Sequence, residues 1–433
     1  MTQTRVSPQW RDLLHAQAHP LTGRANDYDA LLRLIGDARL VLLGDATHGT
    51  QEFYQERMRL TEQLIVEGGF TAVAFESGAL EAWRINRYIH GVSDADTSTE
   101  ALSDFKDFPR WLWCNAAMPD FLGWLYAYNK MEPNPARQVS VYGLDPFSFF
   151  ASAAALIRFL GQEDPSAAER ARRYFAQFEQ FGPRAEAVPA LNLPLPLQTV
   201  LLAYLSALHT YRASQAYHRY DGRLADDEAF LAAIENQASA HATDYYRLLL
   251  AGHTAAWNLR EQVMQQTLRQ LVMHLLRRTP HARVIVWAHN AHVGDLSATT
   301  LGRRGERSLG EMVRARYGPG AVLIGFSTHH GTVTAADAWD AQAQIYALPD
   351  ALPGSYEDLF HASDIPGFWL ALRSNIRLHL LDNEPHLERV SGAILIPTEP
   401  PEDRYLASQL ANQFDAIVHV DETHAVQPLG AGI

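Results

Sequence analysis

The fold is decided by residues 39–76, which read RLVLLG, DATHGT, QEFYQERMRLTEQLIVEGG and FTAVAFE in order. Two runs in this stretch, Arg39–Gly44 and Phe70–Glu76, are short, apolar and rich in β-branched residues, as buried strands are. Between them, Gln51–Glu67 carries its apolar residues at helical spacing. A strand, a helix and a strand within about 35 residues form a βαβ unit, whose two strands are parallel.

The strand pattern recurs along the rest of the chain. Five further apolar runs have it: Gln138–Gly143, Arg283–His289, Ala321–Phe326, Gly392–Ile396 and Asp415–Val420. The sequence therefore predicts an α/β fold, with a mostly parallel central sheet flanked by helices. Residues 146–280 lack this pattern and are rich in helix formers, which predicts a large helical insertion or lid. Because the strands resume after it, we expect residues 1–433 to form a single α/β domain.

Composition narrows the class of protein. Of the 433 residues, 47% are hydrophobic and 20% are charged, which fits a globular core and excludes disorder. The 49 acidic residues outnumber the 36 basic ones, so the formal charge of −13 argues against a nucleic-acid partner. Cys114 is the single cysteine, which excludes an internal disulfide framework and a cysteine-rich zinc site.

Targeting signals and membrane spans are not evident in the sequence. The first ten residues have no apolar run of the kind that a signal peptide carries. No stretch approaches the roughly 18 apolar residues that a membrane span needs. We therefore expect a cytoplasmic protein with no membrane partner, while the oligomeric state stays open.

Polar residues collect where the predicted strands end. The residues at these exits are three carboxylates and three histidines: Asp45, His48, Glu76, Asp145, His289 and His292. In open parallel sheets, ligands bind just beyond the carboxyl ends of the strands. The sequence therefore predicts that these side chains share one edge and form a site for acid–base chemistry.

The first exit places a carboxylate three residues before a histidine. A carboxylate beside an imidazole fixes its tautomer and raises its basicity, which suits a general base such as His48. The alternative is that Asp45 or Thr47 only caps the following helix, a position that both residue types favour.

Glu76 follows an almost wholly apolar strand and therefore needs a partner, because burying an unpaired carboxylate is costly. It is either part of the site or one half of a buried ion pair with an arginine such as Arg57 or Arg84.

The remaining histidines rank lower. His289 and His292 are three residues apart and would share a face only on a helix, so we expect one of them in the site and give His292 the weaker claim. His329 and His330 follow another strand and could line the same edge.

Several common catalytic motifs are missing. The chain has no G-x-S-x-G elbow, no H-E-x-x-H, no G-x-x-x-x-G-K-[ST], and no G-x-G-x-x-G after the first strand. Their absence disfavours a serine hydrolase, a zinc protease, a P-loop enzyme and a dinucleotide enzyme. Acid–base chemistry by histidines and carboxylates remains, with water as the nucleophile.

These residues resemble the erythromycin esterase family. The resemblance rests on motifs in the family's order, over residues 38–335: Gly44–Gly49 with Glu52, Phe53 and Arg57, then Val73–Glu76, Tyr142–Asp145, Asn258–Glu261 with Met264, and Val286–Val293. It implies a hydrolase that opens the lactone ester of a macrolide antibiotic, with a small-molecule partner and no metal or other cofactor. The family also includes members labelled as polysaccharide-biosynthesis proteins.

The resemblance also implies roles for individual residues. His48 would be the general base, Glu76 would orient that histidine or the water, and His289 would assist at the carbonyl or the leaving oxygen. Arg57 and Arg260 would hold carboxylates or stabilise the developing oxyanion. The chain departs from the family's usual pattern in one place, because Asp45 stands where most members have Glu.

A macrolide is large and mostly apolar and needs a cleft with aromatic walls. Trp111 and Trp113 lie in a segment suited to such a wall, although ordinary core packing is the alternative.

Two rival functions stay open. The first is a metallohydrolase, in which Asp45, His48, Glu76 and His289 surround a divalent cation, since all four are acceptable ligand types. The second is a non-catalytic binding or polysaccharide-pathway protein that retains a degenerate site.

Overall fold

A computed structural model describes residues 8–106, 109–145, 210, 213–216, 218, 222–251, 253–337, 341–382, 384–398 and 400–430. Its strands are β1 His19–Pro20, β2 Leu40–Leu43, β3 Ala72–Phe75, β4 Ser140–Gly143, β5 Val284–Trp287, β6 Ala321–Ala335, β7 Gln344–Leu348, β8 Gly367–Ala371, β9 His386–Arg389, β10 Tyr405–Ser408 and β11 Ala416–Thr423. Its α-helices are α1 Pro8–Gln17, α2 Asp29–Ile35, α3 Gln51–Val66, α4 Ala79–Ile89, α5 Met118–Met131, α6 Gly222–Ala251, α7 His253–Leu276, α8 Asn290–Val293, α9 Thr300–Arg303, α10 Leu309–Tyr317, α11 Tyr356–His361, α12 Ile376–Leu381 and α13 Leu410–Gln413.

Nine of these strands form one sheet in the order β1-β8-β11-β6-β2-β5-β3-β4, with β7 paired to β6. From β11 to β4 every neighbouring pair is parallel, whereas β1, β7 and β8 join antiparallel. All four residues of β2, β3, β4 and β5 are buried, as expected of strands covered on both faces. The predicted fold class, a mostly parallel α/β sheet flanked by helices, is confirmed.

One predicted strand is wrong. Residues 392–396, all of them described, do not form a strand; Ile394 makes only an isolated bridge to Ala336 and is 37% exposed. The place beside β11 is taken by β8, which starts directly after Pro366. Both segments are short apolar runs, and the sequence alone does not show which of them finds a free sheet edge.

The predicted insertion, residues 146–280, is described only in part. Residues 146–209 lie outside the described residues. Within the described part of the interval, Gly222–Ala251 and His253–Leu276 are helical, as α6 and α7. That the whole interval is one insertion or lid stays a prediction. Among the helices of the described residues, none combines the length and the apolar character needed to cross a membrane.

A close backbone contact holds the loop after β2 against β6. The carbonyl oxygen of Gly49 accepts hydrogen bonds from the backbone N–H groups of Thr334 and Val426, at 3.1 and 2.9 Å. A Cβ atom on Gly49 would lie 1.8 Å from the backbone oxygen of Thr334, which no side-chain rotation can relieve. A glycine is therefore required where this loop crosses the strand.

We expect Gly49→Ala to lower the free energy of unfolding by about 1–3 kcal/mol, because the loop and the strand must separate to admit the methyl group. The matched control is Gly123→Ala on α5, where an added Cβ meets nothing within 4 Å. That change should raise stability by up to about 1 kcal/mol, because alanine is the better helix former. Urea denaturation of both variants checks this, and equal midpoints would show that the contact is unimportant.

Candidate active site

The strand order brings the predicted site residues together. Because β2, β5, β3 and β4 are consecutive neighbours and run parallel, their carboxyl ends lie side by side at one edge of the sheet. The residues that follow these ends are Asp45 and His48 after β2, His289 after β5, Glu76 after β3 and Asp145 after β4. All five are buried.

The first group is formed by Asp45, His48 and Arg57. One carboxylate oxygen of Asp45 lies 3.2 Å from Nδ1 of His48, and the other accepts a 2.8 Å hydrogen bond from Arg57. Burial by itself raises the pKa of Asp45, but His48 and Arg57 outweigh it, so the pKa is lowered and the group is a carboxylate. The N-cap residue of α3 is Thr50, so Asp45 and Thr47 are not its caps.

Arg57 is fixed by its surroundings as much as by its charge partner. It reaches Asp45 from the second turn of α3, and its guanidinium lies 4.8 and 4.9 Å from the ring centres of Tyr54 and Trp287. Aromatic faces attract cations, and this contact is desolvated because Arg57 is only 1% exposed. The arginine therefore presents a rigid positive charge behind the Asp45–His48 pair.

Glu76 is the centre of the second group. One of its oxygens accepts a 2.7 Å hydrogen bond from Arg260 and lies 3.0 Å from Nε2 of His292. The other accepts the backbone N–H of His289 at 2.9 Å. Burial raises the pKa of Glu76, but His292 and Arg260 more than offset this and hold it well below its usual value. The expected ion pair exists, but its arginine is Arg260.

The two arginines suggested as ion-pair partners of Glu76 are engaged elsewhere. Arg57 binds Asp45, and Arg84 binds Asp104 at 3.0 Å.

Arg260 bridges two carboxylates. Besides Glu76, its Nη2 donates to Asp145 at 2.6 Å. Burial is the larger influence on Asp145 and raises its pKa, while Arg260 acts in the opposite direction. Since α7 supplies Arg260, this ion pair ties the long helix to the ends of β3 and β4.

His292 makes more contacts with the charged groups of the site than its position in the sequence predicts. It hydrogen bonds through Nδ1 to Glu261, and its ring stacks on Trp257 with centroids 4.7 Å apart. Burial lowers the pKa of His292, but Glu261 and Glu76 outweigh it and raise the pKa to about 10. His292 is therefore an imidazolium at neutral pH, and a permanent cation cannot serve as a base.

Glu261 and Trp257 have no assigned role in the sequence-based site. Glu261 stands in the segment 258–261 that carries the resemblance, which is the signal that could have found it. One of its oxygens binds His292, and the other accepts the backbone N–H of Leu309 at 2.7 Å.

His289 is a different kind of histidine. As the N-cap of α8, its Nδ1 accepts the backbone N–H of Ala291 at 3.2 Å, so its proton is on Nε2, which lies 3.3 Å from the carbonyl oxygen of Ser391. Burial, reinforced by His48, lowers its pKa to about 4. His289 is thus a neutral hydrogen-bond donor, and its ring centre is 4.8 Å from that of His48.

The two tryptophans are buried, Trp111 with 5% and Trp113 with 4% of its surface exposed. Trp113 stacks on Phe75 at 4.5 Å, and its indole N–H donates to the backbone oxygen of Glu76. The structure places Trp113 in the core, as the packing alternative has it. A role of either tryptophan as a macrolide wall stays a prediction.

A comparison with family models matches most of the chain but not the loop that carries Asp45 and His48. A family model described as erythromycin esterase matches residues 65–423. The chain is similar to an erythromycin esterase type II of Escherichia coli, with 35% identity over 120 residues, and to a type I enzyme of that species, with 26% identity over 144 residues. These matches cover 28% and 33% of this chain but only 26% and 30% of the two relatives.

Solved structures share the fold over nearly the whole chain. A Bacillus cereus protein superposes with a TM-score of 0.70 at 21% identity, covering 98% of this chain and 99% of that one. A succinoglycan biosynthesis protein gives 0.70 at 19% identity with the same coverage. An erythromycin esterase mutant in an open conformation gives 0.60 at 15% identity, covering 94% and 96%.

At such low identities, the similarity to these structures supports the fold alone. The family model matches most of the sequence and therefore supports membership of the family. The chain belongs to the erythromycin esterase family.

Proposed function

We propose that the protein hydrolyses the lactone ester of a macrolide, with His48 as the general base that activates water. The observation that carries this proposal is the buried Asp45–His48 pair beside His289, a neutral histidine with its proton on Nε2. One imidazole can accept a proton while its neighbour donates a hydrogen bond, and ester hydrolysis needs both. Family membership and the similarity to two erythromycin esterases support the choice of substrate.

His48 removes the proton from water as the water oxygen attacks the ester carbonyl. The carboxylate of Asp45 then stabilises the imidazolium that forms, as the buried carboxylate does in a catalytic triad. Among the described residues, the facing atoms, Asp45 Oδ1 and His48 Nδ1, are 3.2 Å apart without a well-aligned hydrogen bond. Such contacts tighten when substrate binds.

His289 supplies the hydrogen bond to the developing negative charge. Its Nε2–H contacts the backbone oxygen of Ser391 at 3.3 Å, which is long for a hydrogen bond and easily exchanged for an ester oxygen. When the tetrahedral intermediate collapses, the ring C–O bond breaks and the leaving alkoxide takes the proton from the His48 imidazolium. The product is the ring-opened hydroxy acid, one water heavier than the substrate.

Glu76, Arg260 and His292 position these groups. Glu76 accepts the backbone N–H of His289 and so fixes the start of α8, from which the side chain of His289 projects. Arg260 and the charged His292 hold Glu76 in turn. This differs from direct orientation of His48 by Glu76, because the contacts of Glu76 run to the other histidines.

The oxygen and nitrogen atoms of this cluster that could bind a metal already have other partners. Both oxygens of Glu76 are occupied by hydrogen-bond donors, and Asp45 is paired with Arg57. His289 already uses Nδ1 as an acceptor, and its Nε2 carries a proton. A metal there would have to displace two arginine contacts, so we favour water activation by His48 over a metallohydrolase.

The test is a panel of macrolides of different ring sizes, incubated with the enzyme and analysed by mass spectrometry. We expect a gain of one water for at least one ring size, and activity that survives exhaustive chelation. No gain with any macrolide would refute the substrate and favour a non-catalytic or polysaccharide-pathway role. Loss of activity on chelation that only a divalent cation restores would refute the metal-free mechanism.

A further inference from the structure

Three histidines that are not part of the catalytic groups meet on β6 and α11. His329 and His330 lie in the middle of β6, and His361 is the last residue of α11. Each offers one nitrogen, and these three nitrogens lie within 4.8 Å of one another. The carboxylate of Asp421 on β11 lies 2.8 Å from Nδ1 of His361. None of these residues contributes to the acid–base chemistry proposed above.

The nitrogen atoms of the two neighbouring histidines converge. Nδ1 of His329 and Nδ1 of His330 are 2.9 Å apart, and their rings are nearly perpendicular, at 82°. Two nitrogens bound to one tetrahedral zinc ion at about 2.0–2.1 Å are roughly 3.3 Å apart. An opening of a few tenths of an ångström therefore converts this contact into one edge of a tetrahedral metal site.

The third histidine can complete the site. The ring of His361 stacks on that of His329 with centroids 3.9 Å apart, and 46% of its side chain is exposed. A modest turn of this exposed ring out of the stack brings its nitrogen towards the other two. Asp421 accepts the Nδ1–H of His361, so Nε2 is left as the ligand atom. A metal-binding histidine usually donates its other ring N–H to a carboxylate or carbonyl in this way.

The chemistry of the group also suits a metal. Neutral imidazole is the form that binds metals, and the carboxylate of Asp421 beside His361 offsets part of the charge of a bound cation.

We propose that His329, His330 and His361 bind one divalent transition-metal ion, with water in the fourth position and Asp421 holding His361. Three imidazoles select borderline cations such as Zn²⁺, Ni²⁺ or Cu²⁺ over Mg²⁺ or Ca²⁺, which prefer oxygen ligands. The ion joins β6 to α11, and β11 enters through Asp421. None of these ligands belongs to the ester-hydrolysing cluster, and the existence of the site does not depend on the proposed function.

The test is a Zn²⁺ titration of chelator-stripped, full-length protein without a histidine tag, followed by calorimetry. We expect one equivalent to bind the wild type, and visible absorption of the Co²⁺-loaded protein typical of a tetrahedral site. His330→Ala and His361→Ala should abolish this binding, and Asp421→Asn should weaken it about 10- to 100-fold, the usual cost of losing a ligand's own partner.

Two controls separate this site from other histidines. His281→Ala removes an exposed histidine after α7, and His48→Ala removes the proposed base; both should leave the zinc affinity unchanged. Circular dichroism confirms that each variant is folded. Equal zinc affinity in the wild type, His330→Ala and His361→Ala would overturn the proposal, and so would loss of zinc binding in His48→Ala alone, because the ion would then lie at the catalytic edge.

Discussion

Replacing His48 with alanine is expected to lower kcat for macrolide hydrolysis by about 10²- to 10⁴-fold, the usual contribution of a general base. Without the imidazole, the water at the ester carbonyl has no proton acceptor. Asp45 cannot replace it, because Asp45 acts on the water only through His48. KM should change little, because His48 acts on water and only 10% of its side chain is exposed. Steady-state kinetics on the preferred macrolide, with the fold checked by circular dichroism, measures both quantities.

Two further variants make this result specific. His48→Gln keeps much of the volume and a hydrogen-bonding group but cannot take up a proton, so it should be as inactive as His48→Ala. His281→Ala changes an exposed histidine far along the sequence and should behave as wild type. If either His48 variant kept more than about a tenth of the wild-type kcat, a different residue would have to be the base.

Arg260→Met should destabilise the protein by about 3–5 kcal/mol, the cost of leaving buried charges without their partner. Arg260 donates to both Glu76 and Asp145, and each of these carboxylates is at most 7% exposed. Methionine fills much of the volume but supplies no charge. Urea denaturation at neutral pH measures the loss, and Asp145→Asn in the same chain should recover part of it, because one buried charge is then removed.

The control for Arg260 is an exposed pair. Arg307 binds Glu311, four residues along the chain, and 55% of its side chain is exposed, so Arg307→Met should cost less than about 1 kcal/mol.

The dependence of stability on acidic pH gives a second check of the ion pair between Arg260 and Glu76. The lowered pKa of Glu76 contributes stability above about pH 4.3, its unfolded value, and this contribution is lost as the pH falls. The difference in the free energy of unfolding between wild type and Arg260→Met should therefore become smaller below that pH. A difference that does not change with pH would show that Arg260 does not affect the pKa of Glu76.

Local sequence predicts the placement of residues that are neighbours in the chain or follow neighbouring strands. Asp45 and His48 share one loop, and the rule for parallel sheets predicts that Glu76, Asp145 and His289 lie at the same edge, as the strand order has them. The confirmed fold class likewise follows from short apolar strands that alternate with helical patterns.

Partners that are distant in sequence were beyond its reach. The arginine that binds Glu76 lies 184 positions away among 36 basic residues, and only the family resemblance, not the residue pattern, points to Arg260. The charge of His292 depends on Glu261, which reaches it from another helix. The failed strand at 392–396 has the same cause, because pairing depends on which sheet edge is free and not on apolar character alone.

The strand order also determines when the central strands can pair during synthesis. β2, in the middle of the sheet, pairs on one side with β5, where Leu40 meets Val284, and on the other with β6, where Leu40 meets Ala321. At roughly 5–20 residues per second, a ribosome needs on the order of 10 to 50 s between making β2 and making its first partner. During that time the LVLL segment of β2 has neither of its partner strands, and β3 can pair only with β4. Unpaired apolar strand edges are where a sheet associates with other chains, so the nascent chain is most prone to aggregation before residue 284 emerges.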